Sequence, residues 1–571
     1  MALTIAQRHE LPELVARVLA GRGVSADGAP DFLDPTLKSL MPDPSALTDM
    51  DELAARIADA IEAGEKIAIF GDYDVDGATS AALMARFLRW QGIDPSIYIP
   101  DRLFEGYGPN PEAMKSLAEA GTKLVVAVDC GTTSFEALEM ARGLGLDVVV
   151  IDHHQIGAQL PPAVAIVNPN RQDDLSSLGH LCAAGLTFLT IVALNRLLRQ
   201  RGWYGGRRLE PDLLTWLDLV ALGTVCDVVP LVGLNRAFVA KGLITLALRN
   251  NPGLAALSES ARMSGAIAPY HLGFMIGPRI NAGGRIGDAG LGARLLSSDD
   301  PVECERIAAE LDRLNHERQA IESAMLEEAV AEADAEIGDG AGPPILLSGS
   351  ERWHAGVVGL IAARLKERFQ RPAIAIAFQP NGIGTGSARS IAGVDLGQAV
   401  RTALDHGILI KGGGHTMAAG LTVEKARMGD LRAFLVEFVG EAVENARQNN
   451  GLAVDAALTA RGASTDLISL VERAGPFGSG HPEPVFAFPA HRIAYADTVG
   501  NGHVRFSIST GEGSKLKAIA FRAADTPLGR ALLAARGRLL HLAGVLSIDQ
   551  WRSRRQASLR LIDAAEPKNP V

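Results

Sequence analysis

The chain has 571 residues and a formal net charge of −11, with 47% hydrophobic and 21% charged residues. This length exceeds what one hydrophobic core supports, so we expect three or four domains, and the composition argues against long disordered segments. Its apolar runs fall short of the roughly 18–20 residues of a membrane span, the N-terminus lacks the pattern of a secretory signal, and the four cysteines form no C-x-x-C pair. We therefore predict a cytoplasmic protein that makes no membrane contact.

The first part of the chain changes character near residue 50. Helical patches broken by prolines predict an N-terminal lead-in over residues 1–50. Strands then alternate with helices, the pattern of an α/β domain with a mostly parallel, Rossmann-like sheet over residues 51–300. The predicted strands are Ile67–Phe70, Ser96–Ile99, Leu124–Val128 and Asp147–Ile151, and the predicted helices are Ala78–Trp90, Pro111–Ala120 and Phe135–Arg142.

Three further segments follow. A helix rich in Glu and Ala is predicted over Pro301–Ile337 and indicates a connector over residues 301–340, with one more helix packed on the first domain as the alternative. A second α/β domain is predicted over residues 341–450, with strands Ile345–Leu347 and Ala373–Ala377. Short β-rich runs over residues 451–571 predict a small barrel of the OB type.

An acidic cluster begins where the first predicted strand ends. It reads Gly-Asp-Tyr-Asp-Val-Asp-Gly over residues 71–77 and includes Asp72, Asp74 and Asp76. Three carboxylates at alternate positions repel each other, so the arrangement is costly unless cations neutralise it. The alternative is a solvated acidic loop, which the flanking apolar strand and the glycine disfavour.

Two more acidic segments follow later strands of the same predicted sheet. Asp129 comes after Leu124–Val128, and the Asp152-His153-His154 triplet comes after Ile151. Because carboxyl ends of parallel strands meet at one edge of a sheet, these groups are expected to share a crevice. Carboxylate and imidazole ligands suit Mn²⁺, and Mg²⁺ or Zn²⁺ less specifically. Asp227, which follows a helical segment, is either a further ligand or a structural acid.

These motifs resemble those of the DHH phosphoesterase superfamily over nearly the whole chain. The four acidic motifs are GDYDVDG, VVAVDCGTT, the Asp152-His153-His154 triplet and GTVCDVVP, and Lys411–His415 resembles the glycine-rich motif of the DHHA1 domain. Longer segments resemble the single-strand-specific exonucleases of the superfamily: GPRINAGGRIG at residues 277–287, residues 353–359, and residues 476–480 with 482–484.

Position by position, the resemblance implies a site with two Mn²⁺ or Mg²⁺ ions. Asp129 and His154 are the implied catalytic residues, Asp129 as the bridge between the ions and His154 as the group that faces the substrate phosphate. The implied metal ligands are Asp72, Asp74, Asp76, Asp129, His153 and Asp227. Many family members have a His two residues before the position of Asp72, where this chain has Phe70.

The resemblance also implies a set of substrate contacts. The glycine-rich segment allows a phosphate to approach the backbone closely, with a tight turn as its structural alternative. A surface Arg binds phosphate or is merely solvated. The implied contacts are Arg102, Arg279, Ser387, Arg389, Gly413, Gly414 and His415.

The function implied is 5′→3′ degradation of single-stranded DNA to 5′-mononucleotides in recombination and repair. The implied partners are single-stranded DNA, single-strand-binding protein and a helicase, and we expect a monomer. The negative net charge does not exclude DNA, because phosphate binding depends on local patches. Arginines 199, 201, 207 and 208, and arginines 552, 554 and 555 beside Trp551, either follow a nucleic-acid backbone or are solvated.

Two other functions remain open on the sequence. One is a different phosphodiesterase of the superfamily, such as a nanoRNase, a cyclic-dinucleotide phosphodiesterase or a pyrophosphatase, which would not need the C-terminal β-rich module. The other is a non-catalytic replication scaffold, which the intact acidic motifs disfavour.

Overall fold

The computed structural model describes residues 1–101, 105–206, 208–338, 340–449, 451–510, 513–551 and 554–567. Four short helices begin the chain: α1 (Ala2–Arg8), α2 (Glu13–Gly21), α3 (Ala29–Leu33) and α4 (Leu37–Leu40). A single turn of 3-10 helix at Pro44–Ala46 leads into the first domain.

The first sheet is parallel, with strand order β2-β1-β3-β4-β5. Its strands are β1 (Ile67–Gly71), β2 (Ser96–Tyr98), β3 (Leu124–Val128), β4 (Asp147–Ile151) and β5 (Ala165–Val167). Helices cover both faces: α5 (Met50–Ala63), α6 (Val75–Trp90), α7 (Pro111–Glu119), α8 (Phe135–Gly143) and α9 (Ala183–Gln200). The four predicted strands are confirmed. In β1, β3 and β4 they are runs of apolar residues buried on both faces, as is typical of parallel sheets, whereas β2 is a short, partly exposed edge strand.

Helices continue the same core after the sheet. They are α10 (Leu217–Cys226), α11 (Gly233–Ala247), α12 (Pro252–Ser260), α13 (Gly277–Ile286) and α14 (Leu291–Ser297), with a 3-10 turn at Leu213–Trp216 and a π-helical turn at His271–Ile276 directly before α13. The predicted long helix is α15 (Pro301–Ile337). Ile307 and Leu311 in its first half lie in this core, whereas Met325 and Ala333 in its second half lie in a separate core beside the second sheet.

The second sheet is mixed, with strand order β6-β7-β8-β10-β9. Its strands are β6 (Leu346–Ser350), β7 (Ala373–Phe378), β8 (Ile383–Arg389), β9 (Lys411–His415) and β10 (Ala418–Glu424), and its helices are α16 (Val358–Phe369), α17 (Leu396–Asp405) and α18 (Met428–Gln448), with a 3-10 turn at Lys425–Arg427. The tight turn considered for the glycine-rich segment is wrong, since these residues form the edge strand β9.

The C-terminal strands close into a barrel. Its elements are β11 (Ala456–Ala457), α19 (Thr465–Glu472), β12 (Val485–Val499), β13 (His503–Ser509), β14 (Lys515–Ala520), α20 (Pro527–Ala534), β15 (Leu539–Trp551) and β16 (Arg554–Ala565). The order β12-β13-β14-β16-β15 closes through pairing of β15 with β12, which confirms the predicted barrel of the OB type. Within the described ranges, no helix is both long and apolar enough to cross a bilayer.

Candidate metal centre

The ends of four parallel strands lie in one row. Gly71 pairs with Val128, Val128 with Ile151, and Ile151 with Val167. The next residue of each strand therefore emerges at the same edge of the sheet: Asp72, Asp129, Asp152 and Asn168. All four are buried. The crevice predicted from the strand ends is thus formed by the register of the sheet itself.

The remaining acids of the first motif lie at the start of α6. Asp74 caps this helix, and its Oδ1 accepts hydrogen bonds from the backbone N–H groups of Asp76 (2.9 Å) and Gly77 (3.1 Å). The carboxylate of Asp76 accepts from the backbone N–H groups of Ala183 (2.6 Å) and Ala184 (2.9 Å), which begin α9. The positive ends of two helices thereby stabilise negative charge beside the sheet edge.

Seven side chains converge in three overlapping groups. Within each group the ligand atoms lie within 4.8 Å of one another; the groups are Asp72 with Asp74 and Asp129, Asp76 with His153 and Asp227, and Asp129 with His153 and His154. The Nε2 atom of His153 lies 3.3 Å from Asp129, 3.7 Å from Asp227 and 3.8 Å from Asp76. Asp129 is shared by two groups, so all six predicted ligands are brought together around it.

The electrostatics of the cluster favour bound cations. Burial, followed by repulsion from neighbouring acids, raises the pKa of Asp129 and raises the pKa of Asp227 to about 9. Within the described part of the chain, Asp129 Oδ1 and Asp227 Oδ2 are buried without a hydrogen-bond partner. Buried carboxylates without partners are costly, and divalent cations remove this cost. Five carboxylates and one imidazole fit two ions of the Mn²⁺ or Mg²⁺ type.

Asp152 has a different task from the other acids. It accepts hydrogen bonds from the backbone N–H and the hydroxyl of Thr132, from the backbone N–H groups of His153 and His154, and from Nδ1 of His154 at 2.7 Å. Burial alone would raise the pKa of Asp152, but the bonds from His154 and Thr132 hold it well below its usual range. For His154, burial lowers the pKa, but the hydrogen bond and the negative charge of Asp152 outweigh burial, so the pKa of His154 is raised. Asp152 therefore orients His154.

Three residues at the site were not predicted from the sequence. Asn168 and Asn170 donate side-chain hydrogen bonds to the backbone carbonyls of His154 (2.9 Å) and His153 respectively. The hydroxyl of Tyr107 lies 3.0 Å from the backbone carbonyl of Asp129. The sequence signal for the two asparagines was the Asn-Pro-Asn segment directly after β5, at the same sheet edge as the acids.

Phe70, which replaces the His of many family members, belongs to the hydrophobic core. It is fully buried, its ring stacks on Tyr98 at 5.2 Å, and it packs with Met114 and Leu138 on the face covered by α7 and α8. The group of Asp72, Asp74 and Asp129 is therefore assembled without a residue at this position.

Four of the five predicted substrate contacts of the second sheet lie on one face. Ser387 pairs across β10 with Gly413 by way of Gly420, and Arg389 is aligned with His415 by way of Ala418. Directly paired residues, and residues two apart in a strand, point to the same face. A Cβ atom on Gly413 or Gly420 would meet nothing within 4 Å, so the face beside Ser387 is open.

The other predicted contacts have different surroundings. Gly414 is needed for strand packing, because a Cβ atom there would lie 2.4 Å from Ala418 O. The guanidinium of Arg279 donates to Asp312 (2.8 Å) and to the carbonyl of Met275 (2.6 Å). Arg102 lies outside the described residues, as do Arg207 and Arg552.

The first basic cluster is largely neutralised at the surface. Arg199 pairs with Glu210, Arg201 pairs with Asp59 and Glu62, and Arg208 lies over the ring of Trp203 at 3.6 Å. This arrangement favours the solvated alternative for arginines 199 and 201.

The segment at residues 277–287 links the metal centre to the second domain. A Cβ atom on Gly284 would lie 2.1 Å from the ring of Tyr73, which belongs to the first acidic motif. The next residue, Arg285, donates to the carbonyl of Gly356 at 3.0 Å, just before α16. A Cβ atom on Gly356 would in turn lie 2.3 Å from Arg285 O. These two glycines allow the backbones and rings to approach at contact distance.

A cavity of about 710 Å³ lies beside this link. Tyr270 and Phe274 form one side, with rings stacked at 5.2 Å and side chains that are 61% and 71% exposed. Cys226, next to Asp227, also lines it. Four arginines and one glutamate supply its charge, namely Arg285, Arg318, Arg364, Arg522 and Glu322. The cavity is therefore locally positive although the whole chain is negative.

Family models match the three parts of this architecture. The DHH family N-terminal domain matches residues 66–224, the DHHA1 domain matches residues 342–441, and the RecJ OB domain matches residues 454–563. The parallel sheet with acids at its strand ends, followed by the second sheet, defines a protein of the DHH class, as its motifs predicted.

Similar proteins narrow the class further. The single-stranded-DNA-specific exonuclease RecJ of Dickeya dadantii (strain 3937) is 37% identical over 557 residues, which cover 96% of this chain and 95% of that protein. RecJ of Thermus thermophilus in complex with Mn²⁺ has a TM-score of 0.80 and 29% identity, covering 100% of this chain and 78% of that one. Its complex with Mg²⁺ has a TM-score of 0.75 and 28% identity, covering 100% and 77%. This chain belongs to the RecJ family.

Proposed function

We propose that the protein is a metal-dependent exonuclease that degrades single-stranded DNA from the 5′ end and releases 5′-mononucleotides. The observation that carries this proposal is the pair of ligand groups joined through Asp129, next to a positive cavity with exposed stacked rings. The RecJ relatives described as single-stranded-DNA-specific exonucleases support the same substrate.

The proposed ligands divide into two sets. Asp72, Asp74 and Asp129 would hold one ion, and Asp76, His153 and Asp227 would hold the other. Asp129 lies 3.3 Å from Nε2 of His153 and would therefore stand between the two sets. The Mn²⁺ and Mg²⁺ complexes of the Thermus protein support either metal. When bound, two such cations polarise a phosphate and lower the pKa of water for in-line hydrolysis without a covalent enzyme intermediate.

His154 is proposed to face the substrate phosphate. Asp152 holds its Nδ1 atom at 2.7 Å, and Asn168 holds its backbone carbonyl, so the ring has a fixed direction. The carboxylate also favours the protonated ring, which can donate a hydrogen bond to a phosphate oxygen. Asp129 and His154 are therefore the proposed catalytic residues.

The open face of the second sheet is proposed to bind the terminal phosphate of the strand. Arg389 donates to the hydroxyl of Ser387 at 2.8 Å, and His415 lies two strands away in the same row. The floor of Gly413 lets a phosphate approach the backbone, and Arg102, Arg279 and Gly414 are carried over from the family. Capture of the 5′-terminal phosphate at this face would give the 5′→3′ polarity.

The positive cavity is proposed to hold the strand beyond the cut. Exposed aromatic rings stack on bases whatever their identity, and guanidinium groups bind phosphates. Tyr270 and Phe274 supply the rings, and Arg285 and Arg522 supply positive charge, whereas Arg364 is paired with Glu322 and Glu367. Stacking of this kind requires unpaired bases, which accounts for single-strand specificity.

Several further properties are proposed from the family. The protein is proposed to be a cytoplasmic monomer and to act in recombination and repair together with single-strand-binding protein and a helicase. The domain limits proposed are residues 1–50, 51–300, 301–340, 341–450 and 451–571.

The test is digestion of 5′-labelled and 3′-labelled single strands and of a blunt duplex, with Mn²⁺ and with Mg²⁺. We expect early release of a labelled mononucleotide from the 5′ label only, and little digestion of the duplex. Asp129→Ala should remove the activity with either metal. Early mononucleotide release from the 3′ label would refute the polarity. Faster hydrolysis of dinucleotides or pyrophosphate than of long strands would favour the other phosphodiesterases of the superfamily.

A further inference from the structure

Tyr107 lies between the shared acid, Asp129, and the histidine that Asp152 orients, His154. Its hydroxyl lies 3.0 Å from the backbone carbonyl of Asp129, 3.2 Å from Nδ1 of His154 and 3.3 Å from Nε2 of the same ring. The two rings meet edge-on at 5.6 Å. No residue type other than Tyr places a hydroxyl at this reach while its ring remains at the rim of the site, where Tyr107 is 46% exposed.

The backbone of Asp129 needs such support. Its φ is 60°, in the left-handed region that non-glycine residues rarely adopt because it strains the backbone. This conformation follows directly on β3 and turns the carboxylate away from the strand toward both ligand groups. The Asp129 N–H donates to the carbonyl of Ile151 at 2.9 Å, and its carbonyl accepts from Tyr107. The peptide groups on both sides of the strained residue are therefore fixed.

The position of the hydroxyl serves both neighbours. It donates its proton to the backbone carbonyl of Asp129. Nδ1 of His154 is already bonded to Asp152 at 2.7 Å, so the hydroxyl lies against the edge of the His154 ring without replacing that bond.

The segment that carries Tyr107 is held at both ends. The carboxylate of Glu105 accepts from the backbone N–H of Asp101 (2.9 Å) and from the hydroxyl of Tyr98 (2.7 Å). Asn110 caps α7 by accepting from the N–H of Ala113 at 2.9 Å. Between them, Gly108 has a φ of +74° and lies against Ser134 and Cys130. The hydroxyl therefore reaches the metal centre from an anchored segment.

We infer that Tyr107 is a positioning residue for phosphodiester hydrolysis, whose hydroxyl fixes the backbone of Asp129 and the ring of His154 relative to each other. This inference rests on the proposed function, because it assigns Tyr107 to the same reaction. In this inference the hydroxyl sets the catalytic geometry. A Phe variant removes the hydroxyl and keeps the ring, so the two contributions can be measured separately.

The test compares Tyr107→Phe with Tyr204→Phe, a matched control that loses a tyrosine hydroxyl bonded to Asn195, remote from the site. Steady-state hydrolysis of a 5′-phosphorylated single strand, thermal melting and Mn²⁺ titration by calorimetry are measured for both. We expect Tyr107→Phe to lower kcat by about 10–100-fold, as the loss of outer contacts to metal ligands typically does. KM should change less than threefold, the melting temperature should be unchanged, and two Mn²⁺ ions should still bind.

Each other outcome decides against the inference. A kcat within twofold of wild type, or a raised KM with unchanged kcat, would overturn it, the second because the hydroxyl would then bind substrate. If Tyr204→Phe lowers kcat by the same factor, the loss reflects the general removal of a tyrosine hydroxyl and not a role at the metal centre. Asp129→Ala distinguishes a failure of the proposed function from a failure of the positioning role. If wild type and Asp129→Ala are equally inactive on single strands, the proposed function fails. If wild type is active and Tyr107→Phe is equally active, only the positioning role is refuted.

Discussion

The guanidinium of Arg236 lies 3.9 Å from the centre of the Phe32 ring and also donates to the Phe32 backbone carbonyl at 2.7 Å. Arg236 belongs to α11 in the first domain and is 1% exposed. Its remaining donors reach the carbonyls of Ala474, Gly475 and Pro476, just before the barrel. One buried side chain thus joins the N-terminal helices, the first domain and the C-terminal module.

Replacing Arg236 should destabilise this junction strongly. Arg236→Met keeps much of the apolar stem but removes the guanidinium donor from four backbone carbonyls, one of them buried and three partly buried, so we expect a loss of about 3–5 kcal/mol in the free energy of unfolding. Denaturant unfolding measures this change. Arg17→Met is the control, because Arg17 forms an exposed i,i+4 pair with Glu13 and should cost only about 0.3–0.5 kcal/mol. Equal effects of the two variants would contradict the assignment.

The same junction should weaken in mild acid. Burial lowers the pKa of His481 to about 4, and its ring lies edge-on to Phe32 at 4.9 Å. Between pH 6.5 and pH 4 the unfolded chain binds a proton at this residue that the folded chain excludes, so stability is lost as pH falls through this window. We expect His481→Gln to reduce the slope of melting temperature against pH, whereas exposed His406→Gln should not. Parallel slopes in all three proteins would rule out His481 as the source.

Asp152 should prove to be an orienting acid rather than a metal ligand. Asp152→Asn replaces one acceptor oxygen with a donor that faces the N–H groups or the imidazole now bonded there. We expect kcat to fall by about 10–100-fold with Mn²⁺ affinity changed only a few fold. Calorimetry with Mn²⁺ distinguishes this from Asp129→Asn, which should lose tight binding. Loss of Mn²⁺ binding in Asp152→Asn would place Asp152 among the ligands.

Gly284 should be intolerant of any side chain. A methyl group there would overlap the Tyr73 ring, so Gly284→Ala should shift the first acidic motif, cost about 1–3 kcal/mol and reduce activity at least tenfold. Gly440→Ala is the matched control, since Gly440 lies inside α18 with nothing within 4 Å and should gain about 0.5–1 kcal/mol. Unaltered kcat in Gly284→Ala would mean that the link to Tyr73 is not needed.

Phe274 should contribute to binding of long strands only. Phe274→Ala removes one of two stacked, exposed rings, and stacking of a base is worth about 1–3 kcal/mol, so KM for a strand of about 20 nucleotides should rise roughly 5–150-fold. Hydrolysis of a dinucleotide should be unchanged. Leu175→Ala, at an apolar residue that is 90% exposed elsewhere, should leave both KM values unchanged. A loss on the dinucleotide equal to that on the long strand would move Phe274 into the cutting site.

The strands that carry the acids could be predicted because their residues are apolar without interruption. Ile67–Gly71 and Leu124–Val128 are buried at every position, so a run of Val, Ile and Ala was sufficient evidence. The strands β8, β9 and β10 were missed because glycines at positions 384, 386, 412 and 420 remove the β-branched pattern on which strand prediction depends. There, pairing with neighbouring strands decides the structure.

The candidate site was predictable where charge stands next to a strand end. Asp72, Asp129 and His153 met this condition, whereas Asp227 reaches the cluster only through the packing of α10 against α6. Asn168 and Asn170 are marked only by the Asn-Pro-Asn segment that follows β5. Tyr107 acts through a backbone carbonyl, and such a contact leaves no pattern of charge or spacing in a sequence. The role of Asp152 was hidden for the same reason, because only the fold distinguishes an acid that accepts hydrogen bonds from one that lacks them.

The helix α15 has a mechanical consequence. Its 37 residues extend about 55 Å, and its two halves are embedded in two different hydrophobic cores. A change in the distance between the metal centre and the open sheet face would require one of those cores to be disrupted, so the helix keeps this distance constant. In the proposed reaction, a fixed separation between the site that grips the strand and the site that cuts it means that every turnover removes a piece of the same length.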